Sequence, residues 1–159
     1  MNRKDKAAQA DPATPRLGDF LCFAVYSANL AFGKAYKPLL DELGLTYTQY
    51  ITLVAVSEEE APTVGRLGEK LFLESNTLTP ILKKLEALGY LQRQRAAHDE
   101  RQVLITLTKK GWRLREELAQ VSLAEACGLT PDQVEQTRQA VVALRDNLVR
   151  SVRAGGRES

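Results

Sequence analysis

At 159 residues, 44% hydrophobic and 26% charged, the chain is sized for one soluble globular domain with an appended dimerisation element. No run nears the roughly 18 apolar residues of a membrane span, and the charged start Met1-Asn2-Arg3-Lys4-Asp5-Lys6 lacks the apolar segment of a secretory signal, so a cytoplasmic location is expected. The net charge of +2 decides nothing about nucleic acid, but nine Lys/Arg face only three Asp/Glu between Lys83 and Arg115, whereas Glu58-Glu59-Glu60 is an acidic block.

Residues 1–14 read as a disordered tail. A first helix is expected from Arg16 to Leu43, with Thr14-Pro15 as N-cap and first helical residue and Gly44 as the stop. Leu17, Leu21, Ala24, Ala28, Ala31 and Ala35 give it one apolar face, and Cys22, Tyr26, Asn29 and Tyr36 a second stripe. Pro38 is placed to kink or divide it. Thr46-Tyr47-Thr48-Gln49 has capping-box spacing and opens a second helix to Ser57. Pro62-Thr63 starts a short helix over Val64 to Leu71, and Ser75-Asn76-Thr77 caps another over Leu78 to Leu88, ended by Gly89. Tyr90 to Arg95 and Gln102 to Leu107 alternate partially around His98-Asp99-Glu100, which predicts a two-stranded hairpin. A helical pattern returns from Lys109 to about Ala126 and breaks near Cys127-Gly128. Thr130-Pro131-Asp132-Gln133 is a further capping box, opening a last helix that frays from Arg153.

That order predicts a mainly α fold with a small two-stranded β wing, a winged helix-turn-helix. The major groove admits one α-helix, whose N-terminal residues reach base edges. Ser75, Asn76, Thr77 and Thr79 are short polar groups suited to bases or phosphates, and Lys83 and Lys84 follow one to two turns on. The hairpin is long enough to reach an adjacent minor groove, with Arg95 as its natural probe. Taken singly, each feature fits a plain helix cap or a structural hairpin. Their order, with basic charge concentrated among them, points to double-stranded DNA.

The remaining chemistry is sparse. Cys22 and Cys127 stand far apart without CxxC spacing, which by itself also fits two unrelated buried thiols. His98 is the single histidine, and no Walker loop, GxGxxG, GxSxG or HExxH occurs. No metal, cofactor or enzymatic activity is expected.

From Leu17 to Val152 the chain resembles the MarR family, with Leu67 to Leu88 as its helix-turn-helix. Asp99-Glu100-Arg101-Gln102-Val103-Leu104-Ile105-Thr106-Leu107-Thr108-Lys109-Lys110-Gly111 is similar to the family's wing signature. The resemblance implies an interlaced homodimer, a salt bridge between Asp99 and Arg101 bracing the wing, and Arg95 in the minor groove. It also implies a division into a sensor and dimerisation region (15–45), a DNA-binding region (46–108), dimerisation helices (109–153) and a frayed end (154–159).

Leu21-Cys22-Phe23-Ala24-Val25-Tyr26-Ser27-Ala28-Asn29-Leu30 and Phe72 to Pro80 resemble the branch that senses organic hydroperoxides. By that resemblance Cys22 is the sensor, Tyr36 and Tyr47 hydrogen-bond it, Tyr26 lies nearby, and Cys127 resolves it by an intersubunit disulfide. A thiolate that attacks a peroxide becomes a sulfenic acid, which a second thiol captures. The helix dipole is a poor activator, since Cys22 is expected about two turns into its helix; phenol hydroxyls are a better one. Tyr26, one turn on from Cys22, also fits ordinary packing. Tyr36, fourteen residues on, is roughly 21 Å away along a straight helix, so it reaches Cys22 only if the helix folds back or the partner supplies it. The alternatives are a repressor released by a reversible phenolic ligand, a thiol peroxidase, and a DNA-binding protein with inert cysteines.

Overall fold

The computed structural model describes residues 14–97, 99–119 and 127–155. The expected tails, wing-tip His98 and the expected helix over 120–126 therefore lie outside the described residues, except Thr14 and Arg153–Gly155. The chain divides into two compact units, Met1–Tyr47 and Thr48–Ser159.

In the first unit the long helix starts later than its spacing predicts. The Asp19 carboxylate accepts the Arg16 N–H at 2.8 Å and closes a 3₁₀ turn, Leu17–Asp19. Phe20 then turns extended (φ −84°, ψ 118°), so helix α1 runs over Leu21–Glu42. Cys22 is consequently the second residue of its helix, and the expected distance of two turns from the end is corrected. Pro38 sits inside α1 without dividing it. At the far end the Leu45 N–H reaches back to the Leu40 carbonyl (2.9 Å) across Gly44, whose φ is +65°.

The second unit carries α2 (Tyr47–Ser57, which begins at the boundary), α3 (Val64–Leu71) and α4 (Ser75–Ala87). Strands β1 (Leu91–Ala96) and β2 (Asp99–Leu107) follow, then α5 (Lys109–Ala119) and α6 (Pro131–Gly155). Thr63 caps α3, its hydroxyl accepting the Arg66 N–H at 3.1 Å. Between α3 and α4 the chain turns tightly, with the Leu73 N–H on the Gly68 carbonyl at 2.9 Å. A Cβ on Gly68 would stand 2.8 Å from the Leu73 carbonyl oxygen, so the turn closes only over a glycine.

Helix α4 begins three residues before the expected Leu78, with Glu74 as N-cap accepting the N–H groups of Thr77 and Leu78 at 3.0 Å each. Ser75, Asn76 and Thr77 are thus its first turn rather than residues preceding it. Leu78, Leu82 and Leu85, at i, i+4 and i+7, are fully buried with Leu53, Leu67, Leu91 and Ile105. Each such side chain contributes roughly 1.5–3 kcal/mol relative to exposure. These leucines fix which face α4 turns to solvent.

The two strands pair antiparallel, Leu91 opposite Leu107 through Arg95 opposite Val103, and the register shifts so that Ala96 faces Asp99. Their base is fastened to both neighbouring helices. Thr108 donates its hydroxyl to the Gly89 carbonyl (2.7 Å) and caps α5 by accepting the Gly111 N–H (3.1 Å). Lys110 donates to the Leu88 carbonyl at 2.8 Å and lies 4.5 Å from the centre of the Tyr90 ring. The Thr108-Lys109-Lys110-Gly111 end of the wing motif is thus a joint between α4, the wing and α5. Gly111 is obligatory there, because a Cβ would fall 2.1 Å from the Tyr90 carbonyl oxygen. Gly111→Ala is expected to cost about 3 kcal/mol or more of stability, read as a lowered urea midpoint; an unchanged midpoint would refute this close approach.

The capping box that opens α6 forms as expected, with Thr130 N–H on Gln133 Oε1 (2.9 Å) and Gln133 N–H on Thr130 Oγ1 (3.3 Å). The helix continues through Arg153 to Gly155, where fraying was expected. No residue of α6 is buried, and Val141, Leu148 and Val152 are exposed. Leu21, Val25, Tyr26, Leu30 and Phe32 of α1 are exposed as well. Among the described residues no helix is long and apolar enough to cross a membrane.

Candidate nucleic-acid interface and thiol site

With its leucines turned inward, α4 leaves Ser75, Asn76, Thr77, Pro80, Lys83, Lys84 and Ala87 exposed and Thr79 half-buried. Thr79 donates its hydroxyl to the Ser75 carbonyl at 2.7 Å, within the helix. The exposed first turn also presents helix N–H groups, which favour an anion such as phosphate.

Arg95 lies near the end of β1 and Arg101 in the irregular stretch of β2, both exposed. Asp99 organises that stretch differently from expectation. Its carboxylate accepts the Arg101 backbone N–H at 3.0 Å and the Gln102 side-chain amide at 3.2 Å. Among the described residues no ion pair joins Asp99 to the Arg101 guanidinium, so backbone bonding braces the wing and leaves that charge free.

The basic residues of α3, α4 and the wing divide into two groups. Arg66 and Lys70 of α3 are held by the acidic block, Arg66 to Glu59 at 3.2 Å and Lys70 to Glu58 and Glu59 at 2.8 and 2.9 Å. The hydrogen bond from Lys70, then that from Arg66, keeps the Glu59 carboxyl below its ordinary range. Arg93 of β1 is held by Glu86 of α4 at 2.7 Å. Lys83, Lys84, Arg95 and Arg101 form no ion pair among the described residues. They all belong to α4 and the wing. Sequence reading missed Glu86 and Arg93; their separation of seven residues across the Gly89 turn was the available signal.

Cys22 and Cys127 are both free and exposed. Cys22 lies in the first turn of α1, and Cys127 precedes Gly128 (φ +64°) just ahead of α6. The Tyr26 ring lies 6.4 Å from that of Phe23, between ring centres. Tyr36 and Tyr47 come together, ring centres 5.0 Å apart and tilted by 43°. Tyr36 is not brought to Cys22 of its own chain, because α1 is one continuous helix and fourteen residues span roughly 21 Å. Among the described residues no group of three or more His, Cys, Asp or Glu is placed to hold a metal ion.

Residues 34–118 match the family model of the transcriptional regulator SarA/Rot. The HTH-type transcriptional regulator TtmR of Methylorubrum extorquens is 42% identical over 159 residues, covering 98% of this chain and 80% of the relative. The organic hydroperoxide resistance transcriptional regulator of Bacillus subtilis is 42% identical over 129 residues, 81% of this chain and 87% of the relative. The chain belongs to the MarR family.

As a MarR-family protein it is a transcriptional regulator with a winged helix-turn-helix fold, and not an enzyme. Reduced AbfR bound to DNA superposes with a TM-score of 0.73 at 35% identity, over 86% of this chain and 95% of that one. AbfR has also been solved overoxidised on DNA and with a disulfide formed. In MarR terms α3 and α4 are the helix-turn-helix of this chain and β1 and β2 its wing. The leucines that a helical period required in the core are those that aim α4 outward.

Proposed function

We propose that this MarR-family chain is a cytoplasmic, homodimeric repressor that binds pseudo-palindromic operator DNA when reduced and leaves it when organic hydroperoxide oxidises Cys22. The observation that carries the redox half is the position of Cys22: exposed, in the first turn of α1, in a chain similar to an organic hydroperoxide resistance regulator. Ser75, Asn76, Thr77, Thr79 and Lys83 of α4 contact the major groove, Arg95 probes the minor groove, and Arg101 approaches the backbone beside Asp99, which shapes the wing.

The chemistry balances without a cofactor. The Cys22 thiolate attacks the O–O bond, takes one oxygen as a sulfenic acid and releases the alcohol after protonation. The thiol of Cys127 of the partner subunit then forms the S–S bond and expels water. Tyr36, some 21 Å along α1 from the Cys22 of its own chain, and Tyr47, paired with it, serve the partner's sulfur, with Tyr26 beside it. The exposed apolar stripes of α1 and α6 support dimerisation through these helices.

Disulfide closure needs Cα atoms within roughly 7 Å, so it pulls on the segment that leads into α6. That helix touches the reading head, because the Arg145 guanidinium lies 4.8 Å from the centre of the Phe72 ring at the α3–α4 turn. The pull reaches the recognition helix along this path and takes the two heads out of register.

Fluorescence anisotropy of the reduced protein on its own promoter DNA, before and after one equivalent of cumene hydroperoxide, tests the reading. Binding lost on oxidation and restored by dithiothreitol is expected. Binding indifferent to peroxide would remove the switch while leaving the regulator.

A further inference from the structure

The Arg93–Ile105 pair of the wing turns both its backbone amides away from the partner strand. The Ile105 N–H goes to the Pro62 carbonyl at 3.0 Å, next to the bridge between Thr63 and Leu104. This fastens the β2 edge to the start of α3. The Arg93 N–H goes the other way, to Glu86 Oε1 of α4 at 3.1 Å. The other oxygen of that carboxylate accepts the Arg93 Nε at 2.7 Å and lies 2.7 Å from the terminal guanidinium nitrogen.

One carboxylate thus holds a strand residue by both its main chain and its side chain. A backbone bond stops the strand from sliding, and the guanidinium bond stops it from rotating about its own axis. The two side chains are 35% and 29% exposed, sheltered enough for charge-assisted bonds to hold. Arg95, two residues along, stands on the same face of β1.

We propose that Glu86 is a positioning residue for DNA recognition: by clamping Arg93 it sets the wing against the recognition helix, so that Arg95 and the reading face of α4 engage one duplex together. The clamp spends the charge of Arg93 on geometry and leaves that of Arg95 for the minor groove. The proposal rests on the DNA-reading roles given above for α4 and Arg95.

Two measurements on the reduced full-length protein test it. Amide hydrogen exchange should be at least about 10-fold faster across β1 and β2 in Glu86→Ala, with Leu53 and Leu82 unchanged. Unchanged wing exchange would overturn the clamp whatever the DNA does. Anisotropy then uses a duplex selected from a random pool by the wild-type protein. Glu86→Ala and Arg95→Ala should each weaken binding about 10-fold, and the double variant should be little worse than either. Glu86→Gln, whose single amide oxygen can accept only one of the two bonds, should recover only part of the loss.

Multiplying losses in the double variant, near 100-fold, would overturn the proposal by showing that Glu86 acts independently of the wing. So would full affinity in Glu86→Ala. Wild-type affinity in Arg95→Ala would count against the minor-groove reading, and with it against the positioning of that arginine, while the exchange rates still decide whether Glu86 holds the wing.

Discussion

Cys22→Ser is expected to bind DNA as the reduced wild type does and to ignore organic hydroperoxide. The wild type should lose about 100-fold in affinity on oxidation, at the upper end of ordinary coupling between sites. The variant should stay within about two-fold of its untreated affinity, since a factor of two is under 0.5 kcal/mol. Serine is a fair replacement here because Cys22 is exposed and no packed core surrounds its sulfur in the single chain. Its hydroxyl cannot attack a peroxide at neutral pH, so the chemistry is removed and the helix kept. Tyr26, Tyr36 and Tyr47 remain in the variant, so a peroxide response carried by them would survive. Anisotropy with and without cumene hydroperoxide reads the difference directly. A Cys22→Ser protein that still releases DNA on peroxide treatment would sink the sensor assignment. One that releases it only to a phenolic acid would leave a repressor switched by a reversible ligand.

Element types and order were legible in the sequence because they rest on local signals. The α3 boundaries follow from Thr63 and the apolar period, and the α6 start follows from Thr130 and Gln133. The errors fall where a residue makes a different local bond from the one its spacing suggests, through its side chain or its main chain. Asp19 closes a 3₁₀ turn and delays α1 to Leu21, which moves Cys22 into the first turn of its helix. Glu74 caps α4 in place of the Ser75-Asn76-Thr77 run, which brings those residues into the helix that presents them. Asp99 was assigned a guanidinium and takes a backbone N–H. Glu86 with Arg93 was missed because helix and strand periods say nothing about a contact across the turn that joins them. The pairing of Tyr36 with Tyr47 was legible only as a family trait, since eleven residues and a helix end separate them.

Mixed dimers of the two single-cysteine variants should cross-link on oxidation although neither variant does so alone. Cys22→Ser keeps Cys127, and Cys127→Ser keeps Cys22, so neither chain can close a bond within itself. When subunits are exchanged at equal amounts, about half of the dimers pair one chain of each kind. Each of these holds one Cys22 facing one Cys127 across the interface. Treated with one equivalent of cumene hydroperoxide, the mixture should give a covalent dimer on a non-reducing gel, cleared by dithiothreitol. The expectation follows from where the structure puts the parts. Tyr36 lies far along the same helix from its own Cys22 and pairs with Tyr47, and the apolar stripes of α1 and α6 stay uncovered in one chain. A site completed by the second subunit accounts for both. A covalent dimer from either variant alone would show like cysteines meeting across the dimer axis, and the Cys22–Cys127 pairing would be wrong. If only wild type forms a disulfide, migrating as a compact monomer, the bond lies within one chain. Oxidation would then act on each reading head separately, and the lever through α6 would no longer need a partner.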